Sequence, residues 1–354
     1  MTLRVAQWAT GGVGSIALAA MARRSDLELV GVIVHDPDKV GRDAGDLCGL
    51  GPLGVSATDD VDAVLRLDLD AVCYAASGEA RPGDAVEDLV RLLTAGVNVV
   101  TTSVPGLVHP PAYDAEATAR LAAACAEGGA SLYVSGIEPG FAADHLVLLL
   151  ATLTRTITSV RTQELFSYAG YPVTFTMFDV FGFGRPPEDT CLMELPGVQS
   201  SAWAPPVRMV ADHLGAELDE IRETYEKVVT DRRLEVASGV IEPGTVGAVH
   251  FETIGVVDGR DAIVIEHVNR MADDLAPDWP QPDVDGTYRV RFEGDPELSC
   301  DLRVGAPGDA SAAGMVATTM RVVNAIPFVC AAAPGIVTAT DLPLTLPVGA
   351  LTGI

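Results

Sequence analysis

Apolar and polar positions fall into two textures along the chain. Up to about residue 145, short apolar runs with strand character alternate with helical stretches. The pattern predicts strands over Leu3–Trp8, Leu29–Val34, Ala71–Ala75, Val97–Thr101 and Ser131–Val134, and helices over Val13–Arg23, Asp84–Ala95 and Ala115–Glu127. Strand–helix–strand units in this order argue for a parallel sheet with helices on both faces, an α/β doubly wound fold.

Beyond a helix through "FAADHLVLLLATLT" the period changes. The segments "SVRTQELFSYA", "GAVHFETIGVVDG", "DAIVIEHVNRM", "GTYRVRFEG" and "SCDLRVG" alternate β-branched and polar residues. They follow one another through short turns, one of them a hairpin-type Asp-Gly, so an α+β unit with a mainly antiparallel sheet is expected. A helix is expected between the first strand and the rest, over Val207–Val229. A last helix, "GMVATTMRVVNAIPFVCAA", is expected to pack back on the first unit.

Composition narrows the function classes. With 354 residues the chain is long enough for two domains, each burying its own core. Its formal charge of −26 opposes phosphate backbones and anionic lipid surfaces, so no nucleic-acid partner is expected. The mean hydropathy of +0.28 is high, yet the apolar runs "HLVLLLATL" and "FVCAAAPGIV" are shorter than the roughly 20 residues of a membrane span. No membrane association is expected, and no leader pattern stands at the start. The six cysteines are scattered without a C-x-x-C pair and read as reduced core residues of a cytoplasmic protein.

The stretch Ala9-Thr10-Gly11-Gly12-Val13-Gly14 carries the chemistry. It is a G-x-G-x-x-G fingerprint with alanine first, placed between the first strand and the first helix, where the motif binds a dinucleotide. The middle glycine lets the backbone approach a pyrophosphate, the last lets helix and strand pack, and the helix N-terminus offers unpaired N–H groups. Asp36 falls 22 residues after Gly14, placed to take the ribose 2′-hydroxyl of NAD, whereas His35, Lys39 and Arg42 suit the 2′-phosphate of NADP. The cofactor is therefore read as NAD(P). Ala75, Ala76 and Ser77, Thr102 and Ser103, and Pro139 end later strands and should face the same crevice. Pro139 is expected to open a helix directed at the nicotinamide. The domains are then a dinucleotide-binding unit over 1–145, a substrate and dimerisation unit over 146–309, and a returning segment over 310–354.

With "QWATGGVG", "HDPDKVGRDAGDL", "NVVTTS", "SGIEPGF" and "TTMRVVNAIP" in hand, the chain resembles the dihydrodipicolinate-reductase-like group that includes NAD(P)-dependent amine dehydrogenases and 2,4-diaminopentanoate dehydrogenase. The resemblance implies a Rossmann domain, a second domain giving substrate pocket and dimer contacts, and hence a homodimer. It also implies hydride exchange between nicotinamide and an amine or imine carbon, with a small apolar carbonyl compound and ammonia as partners. No His-His pair occurs, so dihydrodipicolinate reductase activity is not expected. The characterised amine dehydrogenases place a glutamate shortly after the "NVVTT"-like strand, where this chain has Ser103-Val104-Pro105.

Another group must then manage the proton. Glu138 stands at the end of a strand, His109 follows a loop and carries an imidazole that can give or take a proton, and Tyr168 lies where the resembling enzymes have a pocket tyrosine. Glu164, four residues before Tyr168, shares its face on a strand, where it is expected to order the loop. Phe175, Phe178, Phe181, Phe183 and Trp203 are candidates for an apolar pocket wall. A carbonyl reductase with a different proton donor and a dinucleotide-binding protein without turnover remain as alternatives. A carboxylate introduced by Gly14→Asp is expected to abolish NAD(P) binding while leaving the fold, as read by cofactor titration.

Overall fold

The computed structural model describes residues 2–77, 82–306 and 308–351. Two compact units divide the chain, Met1–Gly140 with Met315–Ile354, and Phe141–Gly314. The first unit opens with β1 (Leu3–Trp8), β2 (Leu27–Ile33), β3 (Ala57–Thr58), β4 (Ala71–Tyr74), β5 (Asn98–Thr101) and β6 (Ser131–Val134). Between them lie α1 (Gly12–Ala22), α2 (Ala44–Cys48), α3 (Val61–Leu65), α4 (Pro82–Thr94) and α5 (Ala115–Gly128). The chain builds from β1 outward to β3, then crosses to the other side of β1 for β4, β5 and β6, every pair parallel. The order reverses between β1 and β4, and the crevice beyond their carboxyl ends is where such sheets take a ligand.

Parallel strands covered on both faces must be apolar throughout, and β4 and β6 are buried at every position. Trp8, Val72, Leu89 and Leu121 pack in one layer, and Val5, Cys73, Tyr133 and Ile326 in the other. Each such aliphatic side chain contributes about 1.5–3 kcal/mol on burial.

The second unit contains α6 (His145–Ala151), β7 (Thr156–Ser167), α7 (Val198–Leu214), β8 (Glu220–Val229) and a small hairpin of β9 (Leu234–Val236) and β10 (Gly239–Ile241). Then come β11 (Val246–Val257), β12 (Arg260–Arg270), β13 (Thr287–Asp295) and β14 (Leu298–Arg303). The sheet runs β14-β13-β7-β12-β11-β8, with the β7–β12 pair parallel and the other neighbours antiparallel. The Asp-Gly turn joins β11 to β12 with Asp258 at φ 50° and Gly259 at φ 69°, the left-handed pair that a tight hairpin requires.

The helix expected over Val207–Val229 is half strand. Glu220–Val229 is β8, an edge strand pairing with β11, and α7 begins earlier, at Val198, with Pro205 and Pro206 inside it. Ile221 and Tyr225 are four apart, a spacing that satisfies one face of a helix or of a strand, and the intervening charged residues favour helix locally. Pairing with β11 decides.

The chain crosses back within α8 (Ala310–Val323), followed by α9 (Ile326–Ala331) and β15 (Gly335–Val337), which joins the first sheet beside β6. Contrary to the run-length reading, Ala310–Ala331 is 22 residues of mean hydropathy 1.4, long and apolar enough to cross a bilayer. Core helices pass the same test, and Val322, Val323, Ile326 and Val329 are buried in the first unit.

One face of the six-stranded sheet carries a charge network. Arg161 bridges Glu252 and Glu266, with Nη1 2.6 Å from Glu266 Oε2, and His250 Nε2 lies 3.1 Å from Glu266 Oε1. Burial alone would raise the Glu266 carboxyl, but bonds from His250, Gln163 and Arg161 outweigh it and hold the value at about 2. The His250 pKa, which burial would lower, is instead raised by Glu266. The contribution of Glu266 is therefore complete above its ordinary value of 4.5 and lost as pH falls toward about 2. That of His250 is complete below 6.5 and lost as pH rises through its raised value. Glu266→Gln should cost about 3 kcal/mol near neutrality and flatten the loss of stability between pH 5 and about 2, measured by urea unfolding.

Candidate functional site

Between Trp8 at the end of β1 and Gly12 at the start of α1, three residues reverse the chain. Ala9 does so at φ 69°, a left-handed conformation that costs a residue with a Cβ about 1–2 kcal/mol and is usually left to glycine. Its amide donates to Ile33 O at 2.8 Å, and its carbonyl accepts from Gln7 Nε2 at 2.9 Å. The same Nε2 donates to Trp8 O at 3.0 Å, so a fully buried glutamine clamps the turn. The reading of the sequence did not single out Gln7. Its signal was there, an amide in the middle of an apolar strand, where a buried polar group needs a purpose.

The glycines divide the remaining work. Gly11 caps α1 without a side-chain bond, and a Cβ on it would meet nothing within 4 Å. The first-turn N–H groups of α1, including those of Gly12 and Val13, are thus left open to an anion. Gly14 is different. A Cβ there would lie 2.2 Å from Ala9 O, so its bare Cα lets helix and turn touch. The expectation that Gly14→Asp leaves the fold is corrected, because any side chain at that position strikes backbone before it reaches a ligand.

Ala9, Thr10, Gly11, Val34, His35, Asp36, Lys39, Ala76 and Ser77 line a cavity of about 260 Å³ beyond the ends of β1, β2 and β4. Trp8 Nε1 donates to His35 Nε2 at 3.0 Å. An indole N–H only donates, so His35 Nε2 accepts in this bond and Nδ1 is the ring nitrogen left toward other partners. Asp36 Oδ1 accepts from Asp38 N at 3.0 Å, fixing the carboxylate at the rim. Lys39 Nζ donates to Thr10 O at 3.2 Å and lies across the glycine turn. Arg42 is exposed and outside this lining.

The neighbouring strand ends support the rim. Ala75 N donates to Trp8 O at 2.9 Å, continuing the ladder. Ser103 Oγ donates to Ala76 O at 2.5 Å and its amide to Thr101 Oγ1 at 2.9 Å, which ties the loop after β5 to the loop after β4. Thr102 lies half-buried between them. The helix expected near Pro139 begins only at His145, and Pro139 sits in a turn after β6. That turn is tied down from within its unit: Ser135 Oγ donates to Gly140 O at 3.1 Å, Ile137 N to Thr318 Oγ1 at 3.3 Å, and Arg321 Nη2 to Gly140 O at 3.3 Å. Glu138 is half-buried there, and His109 is buried between two short helical turns after β5.

In the second unit Tyr168 OH donates to Glu164 Oε1 at 2.5 Å, so the two residues expected on one face do meet. Asn269 Nδ2 donates to the same oxygen at 3.1 Å, a partner the sequence did not reveal because it comes from β12. Phe181 and Phe183 are buried with Met177, Cys191 and Phe251 as core, with Phe178 and Trp203 packed against that cluster, while Phe175 is exposed.

A parallel sheet with a switch point, a glycine turn clamped from below and an open helix N-terminus define a dinucleotide-binding dehydrogenase of the Rossmann class. Residues 141–351 match the family model described as the 2,4-diaminopentanoate dehydrogenase C-terminal domain. The chain is 41% identical over 349 residues to an amine dehydrogenase of Streptomyces virginiae, covering 97% of each. It is 23% identical over 351 residues to 2,4-diaminopentanoate dehydrogenase of Acetoanaerobium sticklandii, covering 94% of this chain and 91% of the relative. The solved structure of amine dehydrogenase from Mycobacterium smegmatis matches with a TM-score of 0.79 at 25% identity, over 98% of both chains. This chain belongs to the family of amine dehydrogenases and 2,4-diaminopentanoate dehydrogenase.

Two substitutions separate packing from binding at the cradle. Gly14→Ala should destabilise the first unit by about 2 kcal/mol or more, read as a lowered unfolding midpoint. Gly11→Asp, whose side chain meets open space, should keep the midpoint within about 0.5 kcal/mol and remove NAD(P) binding by calorimetry.

Proposed function

We propose that this protein is an NAD-dependent amine dehydrogenase that joins a small apolar carbonyl compound to ammonia, and runs the reverse oxidation of the amine. The observation that carries the reading is the clamped glycine cradle at the switch point of a chain that matches an amine dehydrogenase along its full length. A nicotinamide dinucleotide fits the cradle, since Gly11 leaves space for a diphosphate and α1 presents N–H groups to it. Bound there, the cofactor supplies or accepts a hydride.

NAD is favoured over NADP by the charges at the rim. Asp36 is fixed at the rim by Asp38 N in a place suited to a ribose hydroxyl, His35 Nε2 is already occupied by Trp8, and the Lys39 ammonium is already shared with Thr10 O. Tyr168 is assigned the proton, ahead of Glu138 and His109, because its hydroxyl is held in place by its bond to the Glu164 carboxylate. The reading includes a homodimer and a cytoplasmic location, the latter supported by six free cysteines.

The test is oxidation of NADH with a panel of aliphatic ketones, with and without ammonia. Turnover requiring both supports the reading, turnover with ketone alone makes the protein a carbonyl reductase, and cofactor binding without turnover makes it a binding protein. Tyr168→Phe should lower kcat about 100-fold with the Kd for NADH unchanged. Asp36→Ser should raise the Kd for NADH and lower that for NADPH, measured by cofactor fluorescence.

A further inference from the structure

On the face of the second sheet that α7 covers, the fold withdraws several polar side chains from water and leaves some of their atoms unpaired. His267 in β12 is 2% exposed, and neither of its ring nitrogens makes a hydrogen bond among the described residues. It stacks on Phe251 with ring centroids 4.4 Å apart and 5° between planes, and Trp203 meets it at 4.9 Å and 69°. Asn269, two residues further along the same face, is fully buried. Its Nδ2 is spent on Glu164, and its Oδ1 has no partner among the described residues. Glu164 lies opposite His267 in the β7–β12 register and is 7% exposed. Its two hydrogen bonds among the described residues, from Tyr168 and Asn269, end on Oε1.

Acceptors predominate among these atoms. Asn269 Oδ1 and Glu164 Oε2 can only accept, and the amide orientation of Asn269 is set by its donation to the carboxylate. Burial lowers the His267 pKa, so its ring is neutral and one nitrogen offers a lone pair. The donors of the group are the other ring nitrogen of His267 and the indole Nε1 of Trp203, both unpaired among the described residues. An amide oxygen and an imidazole lone pair beside a carboxylate and aromatic rings suit a small cation rich in N–H donors, and the carboxylate charge rejects anions. On the other sheet face the carboxylates of Glu252 and Glu266 are already neutralised by Arg161. No cationic side chain bonds Glu164 among the described residues.

We propose that Glu164, Asn269 and His267 form a binding niche for a primary ammonium group, either free ammonium or the ammonium of an amine. Its role in turnover rests on the amine dehydrogenase reading, but binding does not. Glu164, expected to order a loop, becomes in this reading the anionic wall of a ligand site.

The test is nitrogen-15 NMR of the histidine rings in the full-length protein, with the His267 signal assigned by its loss in His267→Gln. Ammonium chloride, cyclohexylammonium chloride and, as a control without N–H donors, tetramethylammonium chloride are titrated at equal ionic strength. The expected result is a saturable shift of the His267 signal with ammonium or cyclohexylammonium and none with tetramethylammonium. Saturation by the first assigns the niche to free ammonium, and by the second to the amine. Glu164→Gln and, should that variant not fold, Asn269→Ser should weaken the binding at least tenfold. Absence of a saturable shift, or one unchanged in these variants, overturns the niche.

A kinetic arm separates the two readings. If ketone and ammonia turn over, Glu164→Gln should raise the KM for ammonia at least tenfold while leaving the Kd for NADH unchanged, and an unchanged ammonia KM overturns the niche while the function stands. Saturable ammonium binding without turnover on any ketone supports the niche and removes the function instead.

Discussion

The contact between the carbonyl of Ala9 and the bare Cα of Gly14 is the constraint on which the cradle depends. A side chain at position 14 would lie 2.2 Å from that oxygen, so the first helix can sit against the first strand only because nothing projects between them. The same carbonyl is held from below by Gln7, and the turn reaches its shape with Ala9 in a conformation that alanine rarely takes. Strain at Ala9 is thus offset by a buried amide and by close packing. The open end of α1 that results is what gives an anion-binding crevice its donors.

Electrostatics then divides the rim of that crevice by hydrogen bonding more than by residue type. A histidine, an aspartate, a lysine and an arginine follow the second strand, and counting charges alone leaves the choice between NAD and NADP balanced. The structure adds bonds to that count: an indole occupies one histidine nitrogen, a backbone amide orients the aspartate, and the lysine leans on Thr10. Arg42 stays outside the lining. None of these bonds joins neighbours in sequence closely enough to be anticipated, apart from Asp36 capping Asp38.

The second unit treats its two sheet faces in opposite ways. On one face buried carboxylates are matched by Arg161 and His250, so the charges stabilise one another and hold Glu266 ionised far into acid. On the other face Glu164 accepts from a phenol and an amide, neither of which neutralises it. A network built for stability pairs every charge. One that leaves acceptors open beside a carboxylate lowers stability locally.

The sequence by itself determined the elements whose local signals agree. The strand Leu3–Trp8, the glycine turn and the helix after it are legible because apolar period, glycine spacing and helix start coincide within some twenty residues. The Asp-Gly hairpin is legible for the same reason. It did not determine β8, whose glutamates and lysine prefer helix until β11 offers a ladder, nor the start of α7, where Pro205 and Pro206 lie inside the helix. Nor did it reveal that Gln7, Asn269 and His267 are withdrawn from water. Each is an ordinary polar residue in an apolar strand, and its meaning comes from residues one strand or many tens of positions away. Only tertiary structure brings such groups out of water together, because burial and hydrogen-bond pairing are properties of neighbours in space, which the order of residues along a chain leaves open.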